Sequence, residues 1–301
     1  MNTINNTLPI GFGPRMCELP EKYKLRAEDG RIYNGLKRRY VKYIVRPFYE
    51  NRYLKPFVHA LKNGFRWIDY SCAYGDGRLL GIAIKKSGIP REELMVTTRV
   101  SNWAQTHHCI REELMNFLSN AGLEYVDVYQ FHWPVTDCYL DTWREMEKLY
   151  EEGYAKHLGV ANCHQHHLEE IFKICKCKPE VGQFEIHPLF TQKPLVEYYQ
   201  MHDMQVCAYT SVARSDDRLV RLPKLKQIAV KYGKTVIQVV LRWHLQNGII
   251  PIVHSKSSKH QCENLNVYDF ELTEEEMKTI DSFNINSRLR FDPDNCDFSI
   301  L

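Results

Sequence analysis

The length, composition and charge of this chain exclude several classes of protein. With 301 residues, a net charge of +3 and 26% charged side chains, it resembles neither a disordered tail nor a general nucleic-acid binder. Because it has no apolar run of ~20 residues, and because its ten cysteines come without an export signal or paired CxxC spacing, we expect a cytoplasmic protein with no membrane and no nucleic-acid partner.

Short apolar segments alternate with amphipathic ones from residue 54 onward. This alternation is typical of βα units around a parallel sheet, in which each pair of neighbouring strands is joined by a helical crossover. We predict eight strands, at residues 8–12, 65–70, 94–98, 126–131, 157–160, 181–184, 206–210 and 249–253.

Glycine marks the ends of several predicted helices, where a left-handed residue stops the helix. The helices predicted at 55–63, 78–87, 108–120 and 141–152 all end at or just before a glycine. Further helices are predicted at 164–176, 192–202, 222–232, 234–247, 256–266 and 273–284, the last with Thr273 as N-cap and Glu276 completing a capping box. Eight strands with helical crossovers predict a single-domain (β/α)8 TIM barrel over residues 1–301, with a doubly wound sheet as the alternative.

One segment interrupts the alternation of strands and helices. Residues 14–53 separate the first strand from the first helix, and connections longer than ~15 residues are usually lids, binding loops or disordered segments. Residues 31–55 hold eight basic side chains and one acidic side chain. This basic insert has three open interpretations: a solvated or oligomer-facing helix, a lid that recognises an anionic substrate, or a nucleic-acid contact.

Polar side chains follow nearly every predicted strand, and in a TIM barrel the carboxyl ends of the strands converge on one face. Arg99 follows a buried apolar run and needs a partner, which Asp69 offers from the neighbouring strand. Together the residues at or after the carboxyl ends of the strands are Asp69, Tyr74, Arg99, His132, Trp133, Asn162, Gln183, Glu185, Tyr209, His254 and Ser255. An acid, a phenol, a cation and an imidazole from three successive strands indicate a proton-transfer site.

Seven segments in chain order resemble the aldo/keto reductase superfamily. They are "GFRWIDYSCAYGDG", "REELMVTTRV", "YVDVYQFHWP", "VGQFEIHPLF", "CAYTSVA", "VVLRWHLQNGIIPIVHS" and "ENLNVYDFELTEEEM". The resemblance extends over about residues 7–12 and 54–290, which makes it far more specific than any single motif. It implies a (β/α)8 barrel that reduces an aldehyde or ketone with NADPH or NADH.

The resemblance also assigns catalytic roles. The Asp, Tyr, Lys and His tetrad of the family corresponds to Asp69, Tyr74, Arg99 and His132, so arginine replaces the family lysine. Tyr74 would donate the proton to the developing alkoxide, helped by a cation that Asp69 holds in place. His132 would orient the carbonyl oxygen. The replacement at Arg99 leaves reduced activity as a possibility.

Cofactor and substrate contacts follow from the same resemblance. Tyr209 would stack on the nicotinamide, Asn162 and Gln183 would hold its carboxamide, and Trp133 would line the substrate pocket. The residues expected at the adenosine end are His254, Ser255, His260, Glu263 and Asn264. The family has a lysine and an arginine where this chain has His254 and His260, which are mostly neutral at pH 7. Specificity is expected to depend on loops and on the C-terminal tail, residues 284–301.

Several other interpretations stay open. Asp69 and Arg99 would also suit an interior salt bridge without a catalytic role, and Tyr209 and Trp133 would suit ordinary core aromatics. The whole chain would also suit a catalytically weak barrel that binds dinucleotide for sensing or scaffolding, or an isomerase. The segment "NCHQHH", residues 162–167, has the letters of a metal site, but its spacing is not that of converging zinc ligands, so we expect an exposed helix start and no metal.

Overall fold

A closed barrel of eight parallel strands forms the centre of the molecule. In this computed structural model the described residues are 8–14, 36–37, 39–40, 46–71, 75 and 77–298, with side chains of 46–51 left aside. The strands are β1 Gly11–Phe12, β2 Trp67–Asp69, β3 Met95–Val100, β4 Val126–Phe131, β5 Ala155–Ala161, β6 Val181–Glu185, β7 Gln205–Tyr209 and β8 Ile249–Val253. They pair in chain order and β8 closes on β1, which confirms the predicted fold class.

Besides the helical residues 36–37 and 39–40, twelve α-helices lie among the described residues, most of them between successive strands. They are α1 Arg46–Asn63, α2 Arg78–Ser87, α3 Asn102–Thr106, α4 Ile110–Ala121, α5 Tyr139–Glu151, α6 Gln165–Ile174, α7 Lys193–Met201, α8 Asp217–Val220, α9 Pro223–Tyr232, α10 Val236–Gln246, α11 Ser258–Leu265 and α12 Glu274–Asp281. Left-handed Gly88, Gly122 and Gly233 follow α2, α4 and α9 as C-caps. The predicted capping box at Thr273 is present, with its side chain accepting from the Glu276 backbone N–H.

The barrel interior changes character along the strands. An apolar group inside the barrel includes Trp67, Val128 and Val181, all buried. Two residues further along β2 and β6, the inward positions are polar, at Asp69 and Gln183, and both are buried as well. Since successive inward residues of a strand lie two apart, the apolar residues form a floor and the polar ones a layer above it, nearer the carboxyl ends.

Among the differences from the predicted boundaries, two affect the candidate site. Strand β3 continues to Val100, so Arg99 lies within the strand and not beyond its end, because its backbone pairs with Gln130 in β4. The first helix is already formed at Arg46, inside the segment predicted as an insert. Most of the remaining insert lies outside the described residues, as does Tyr74.

Close packing joins the helices to the outside of the sheet. Gly182 in β6 is the clearest case, because a Cβ there would lie 1.9 Å from the Tyr199 ring of α7. Tyr199 is fully buried, and its hydroxyl donates to the Cys163 carbonyl oxygen at 2.9 Å. This contact holds α7 against the residues that follow β5. Within the described part of the chain, no helix has the length and apolar character needed to cross a membrane.

Candidate active site

A buried ion pair occupies the polar layer of the barrel. The Arg99 Nη2 atom lies 2.6 Å from Asp69 Oδ1, and both side chains are about 5% exposed or less. Gln183 reaches the same pair from β6, since its Oε1 accepts from Arg99 and its Nε2 donates to Asp69 at 3.2 Å. When the Gln130 amide oxygen faces Arg99, it accepts from Nε at 3.0 Å and from Nη2 at 3.2 Å. These bonds offset the desolvation that would otherwise make a buried charge pair costly.

The predicted pairing of Arg99 with Asp69 is therefore present in the structure. A planar guanidinium bonds three residues from three strands at once, which a single ammonium group does less readily. Gln183 is engaged by Asp69 and Arg99 here, and its expected contact with a carboxamide stays a prediction.

His132 comes directly after β4 and is neutral. Burial, followed by the nearby cations of Arg99 and Arg290, lowers the pKa of His132 to about 3. A neutral imidazole has one N–H donor and one acceptor nitrogen. His132 can thus donate a hydrogen bond across the working pH range without adding charge to the site.

Asn162 and Tyr209 form a hydrogen-bonded pair at the same end of the barrel. The Tyr209 hydroxyl donates to Asn162 Oδ1 at 2.6 Å, and Asn162 Nδ2 donates to the His132 backbone carbonyl oxygen at 2.8 Å. Asn162 adopts a left-handed φ of 59°, which asparagine tolerates better than most residues. Burial and the Glu185 carboxylate raise the pKa of Tyr209, so this phenol keeps its proton.

Trp133 is almost completely buried beside His132. Its ring centroid lies 6.1 Å from that of His132 and 6.5 Å from that of Phe298 in the C-terminal tail. Its backbone carbonyl oxygen accepts from Gln105 Nε2 at 3.0 Å, while its indole N–H has no partner among the described residues. The predicted pocket residue therefore lies between the strand ends and the tail.

The residues expected at the adenosine end follow β8 closely. Ser255 bonds Ser257 within a tight turn, and Ser257 caps α11 by accepting from the His260 backbone N–H. His254 and His260 are exposed, and His254 Nδ1 lies 3.0 Å from the Gly13 carbonyl oxygen.

The other two expected adenosine-end residues lie further along α11. Glu263 is half-buried and lies 3.7 Å from Lys259, while Asn264 is buried. All five side chains thus belong to one loop and the helix that follows it.

Glu185, the last residue of β6, organises the tail, but the sequence analysis gave it no role beyond its position at a strand end. Its carboxylate accepts from the backbone N–H groups of Leu289 and Arg290, each at 2.8 Å, and from His187 Nε2 at 2.9 Å. Burial by itself would raise the pKa of Glu185, but these hydrogen bonds lower it by more. The pKa therefore lies below its ordinary value, and Glu185 stays ionised. The signal for this role was a carboxylate at an inward position two residues after Gln183. Its partners lie more than 100 residues later, which local patterns do not show.

Known proteins similar to this chain are reductases of one family. The model of the aldo/keto reductase family matches residues 46–285. The chain is 41% identical over 237 residues, 78% of this chain and 84% of the relative, to the 9,11-endoperoxide prostaglandin H2 reductase of Trypanosoma cruzi. It is likewise 41% identical over 235 residues to the glyoxal reductase of Bacillus subtilis, covering 78% of this chain and 84% of that protein. The crystal structure of MGS-M4, an aldo-keto reductase from a deep-sea metagenome library, superposes with a TM-score of 0.79 at 36% identity, over 82% of this chain and 92% of that one.

Proposed function

This chain belongs to the aldo/keto reductase family, and on that basis we propose that it reduces an aldehyde or ketone to an alcohol with NADPH or NADH, using Tyr74 as the general acid. The observation that carries the proposal is the buried Asp69–Arg99 pair, with Nη2 and Oδ1 2.6 Å apart, in a layer adjoining His132. A cation held in place inside the barrel is what a phenol needs to release its proton near neutral pH.

The chemistry of the pair follows from Coulomb's law. A tyrosine of ordinary pKa ~10 gives up a proton more readily when a positive charge stabilises the phenolate. Asp69 fixes the position of that charge and Gln183 limits its movement. Arg99 also stays protonated throughout the working pH range, because guanidinium does not lose its proton in proteins.

His132 would orient the substrate oxygen. Because its pKa is lowered to about 3, the imidazole donates a hydrogen bond without protonating the carbonyl oxygen itself. The proton then comes from Tyr74 and not from His132. His132 thus positions the carbonyl oxygen, and Tyr74 transfers the proton.

The donor set at the carboxyl face is suited to a nicotinamide dinucleotide, which supplies the hydride when bound. Asn162 and Tyr209 offer an amide and a partly exposed aromatic ring at one side of the site. Ser255 and the exposed His254 and His260 lie around the start of α11. We propose that the first pair contacts the nicotinamide and the second group the adenosine end.

The substrate class is a small carbonyl compound, and the basic insert favours one with a carboxylate or phosphate. One relative is named a glyoxal reductase. An excess of seven positive charges over residues 31–55 would draw anionic substrates toward this end of the barrel.

The proposal is tested by turnover with a panel of aldehydes and ketones, including glyoxal, while both NADPH and NADH are titrated and their absorbance is followed. We expect Tyr74→Phe to abolish turnover and to leave dinucleotide binding intact, because the phenol serves the proton and not the cofactor. Tyr268→Phe is the matched control, since that phenol bonds the Leu8 carbonyl oxygen at 3.0 Å. An unchanged rate in Tyr74→Phe would remove Tyr74 as the acid.

A further inference from the structure

Two histidines and a tail carboxylate converge outside the active site. His164 Nδ1 lies 2.8 Å from Asp294 Oδ2, and His166 Nε2 lies 3.2 Å from Asp294 Oδ1. The three potential ligand atoms all lie within 4.8 Å of one another. His164 is the N-cap of α6 and His166 lies in its first turn, while Asp294 comes from the C-terminal tail, 130 residues after His164.

Asp294 supplies a third potential ligand that the spacing within the segment 162–167 could not reveal. The spacing within "NCHQHH" does not by itself bring ligands together, since neighbouring side chains diverge. In the folded chain the His164 and His166 rings instead turn toward a common carboxylate, with their centroids 6.1 Å apart. Two imidazoles and one carboxylate form the donor set of many three-ligand zinc sites, in which water takes the remaining position.

His167 lies next to Asp294 but does not hydrogen-bond it. Its Nδ1 accepts a hydrogen bond from the His164 backbone N–H at 3.1 Å, so the neutral ring carries its hydrogen on Nε2. That Nε2 lies 3.7 Å from Asp294 Oδ1, beyond hydrogen-bond distance. Metal-binding carboxylates are commonly oriented by an outer partner, and His167 has the position and the donor to serve as one.

We propose that His164 Nδ1, His166 Nε2 and Asp294 bind one Zn²⁺ ion. Imidazole nitrogens favour Zn²⁺ over Mg²⁺ and Ca²⁺, which prefer oxygen ligands. The His166 side chain is 58% exposed and that of Asp294 38%, so water reaches the site and completes the coordination. Tetrahedral Zn²⁺ takes nitrogen and oxygen ligands at ~2.0–2.2 Å, and the three ligand atoms here already lie within 4.8 Å of one another.

The positive charge of Arg288 lies close to the proposed site and lowers its affinity for Zn²⁺. Its Nη2 lies 3.5 Å from His164 Nε2, the nitrogen that must carry a hydrogen when Nδ1 binds metal. The guanidinium has an alternative acceptor in Asp292 Oδ2, 3.7 Å away, and packs over the Phe190 ring. Zn²⁺ binding therefore requires Arg288 to turn from His164 toward Asp292.

Zn²⁺ binding would hold the C-terminal tail in place beside the active site. The turn that holds His164 follows Asn162 directly, and the tail that holds Asp294 continues to Phe298 against Trp133. A metal bond between turn and tail would slow opening of the tail at this position. The ion would thus act on access to the pocket and not on the reacting atoms.

The test measures metal binding by the full chain without cofactor or substrate, so its outcome does not depend on the proposed catalytic activity. Isothermal titration calorimetry with Zn²⁺ gives the affinity, and Co²⁺ titration gives the visible spectrum of a site with nitrogen and oxygen ligands. We expect Asp294→Asn and His166→Ala each to weaken binding by at least ~10-fold, because loss of even an outer partner costs that much in other sites. His157→Ala is the matched control, since His157 pairs with Glu180 alone at 2.9 Å.

Two results would overturn the proposal. One is equal Zn²⁺ affinity in the wild type, Asp294→Asn and His166→Ala. The other is a thiolate-to-cobalt charge-transfer band that survives Asp294→Asn, because it would locate the ion on cysteines such as the exposed Cys262.

Limited proteolysis supplies the second readout. Zn²⁺ should slow cleavage within residues 284–298 in the wild type and in His157→Ala, and should have no effect in Asp294→Asn. Equal cleavage of the wild type with and without bound Zn²⁺ would refute the fastening of the tail.

Discussion

Arg99 occupies the position at which the family resemblance predicts a lysine. Its guanidinium bonds Asp69, Gln183 and, through the amide oxygen, Gln130. It keeps the charge of the family lysine but spreads it over a bulkier plane. We therefore interpret Arg99 as an electrostatic substitute that leaves Tyr74 less acidic than a lysine would.

We predict that Arg99→Lys raises the rate of the chemical step by at least ~10-fold, or about 1.4 kcal/mol of barrier. The compact ammonium of lysine approaches a phenol more closely than guanidinium does. The same substitution removes the guanidinium hydrogen bonds to Gln183 and Gln130, which should lower the free energy of unfolding by about 1–3 kcal/mol. Single-turnover rates and urea denaturation measure the two effects. Arg91→Lys is the control, because Arg91 pairs with Asp127 at 2.6 Å elsewhere. A slower Arg99→Lys enzyme would identify arginine as a specific adaptation, such as a direct contact with an anionic substrate.

The two exposed histidines expected at the adenosine 2′-phosphate lead to a coenzyme prediction. An imidazole lacks the fixed positive charge of a lysine or an arginine, so we expect only a weak preference for NADPH over NADH. Replacing His254 and His260 by alanine should change this preference little. Dissociation constants for both coenzymes test it, with His202→Ala as the control. A large NADPH preference that survives in the double variant would contradict the prediction.

At the scale of elements, helix α10 is tied to the turn after β7 through a buried histidine. His244 Nε2 lies 2.8 Å from the Ser211 carbonyl oxygen, and the side chain is fully buried. Burial lowers the pKa of His244 to about 3. The folded protein therefore keeps this histidine neutral at pH values where the unfolded chain protonates it.

The sign of the pH effect follows from proton uptake. Between the unfolded pKa of ~6.5 and the lowered folded value, the unfolded state binds more protons, so stability is lost as pH falls. We predict that His244 alone lowers the free energy of unfolding by about 2 kcal/mol at pH 5 relative to pH 7. His244→Gln cannot titrate, yet its amide can still donate to Ser211, so the slope of stability against pH should flatten. Urea denaturation between pH 5 and 7 measures this, with His202→Gln as control. An unchanged slope would show that His244 does not bind the proton.

At the scale of the whole molecule, charge is unevenly distributed. The eight basic residues within 31–55 contrast with a net charge of about −4 over the rest of the chain. If the insert covers the active-site end, it should concentrate anionic substrates there. Arg38 lies outside the described residues, while Lys37 and Arg39 are both helical.

Replacing Lys37, Arg38 and Arg39 by alanine should raise KM for an anionic substrate more than for a neutral one of similar size, and the difference should shrink at high salt. Steady-state kinetics with a matched pair of aldehydes, one carboxylated, would measure it.

A second triple variant controls for net charge. Lys173, Lys176 and Lys178 lie at the end of α6 and before β6, at the opposite end of the barrel. Their replacement should affect both substrates alike. If the variant in the insert also affects both alike, the insert is a solvated or oligomer-facing helix.

Local patterns in the sequence were sufficient for the eight strands, most helix ends and the pairing of Asp69 with Arg99. Short apolar runs and glycine C-caps are short-range properties, so they can be recognised along the sequence without knowledge of the fold. The predicted strand ends located His132, Asn162 and Tyr209, and the family resemblance supplied their expected roles. The fold brings these three residues together at one end of the barrel.

Only the tertiary structure decided which partners those residues have. The bonds of Arg99 to Gln183 and Gln130, the backbone N–H groups of the tail on Glu185, and the approach of Asp294 to His164 and His166 all join segments far apart in the chain. Closure of the barrel and docking of the tail create these contacts, and no local spacing encodes them. The type of each element and the chemistry available at each strand end are therefore properties of the sequence, whereas the charge state and connectivity of the site arise from burial.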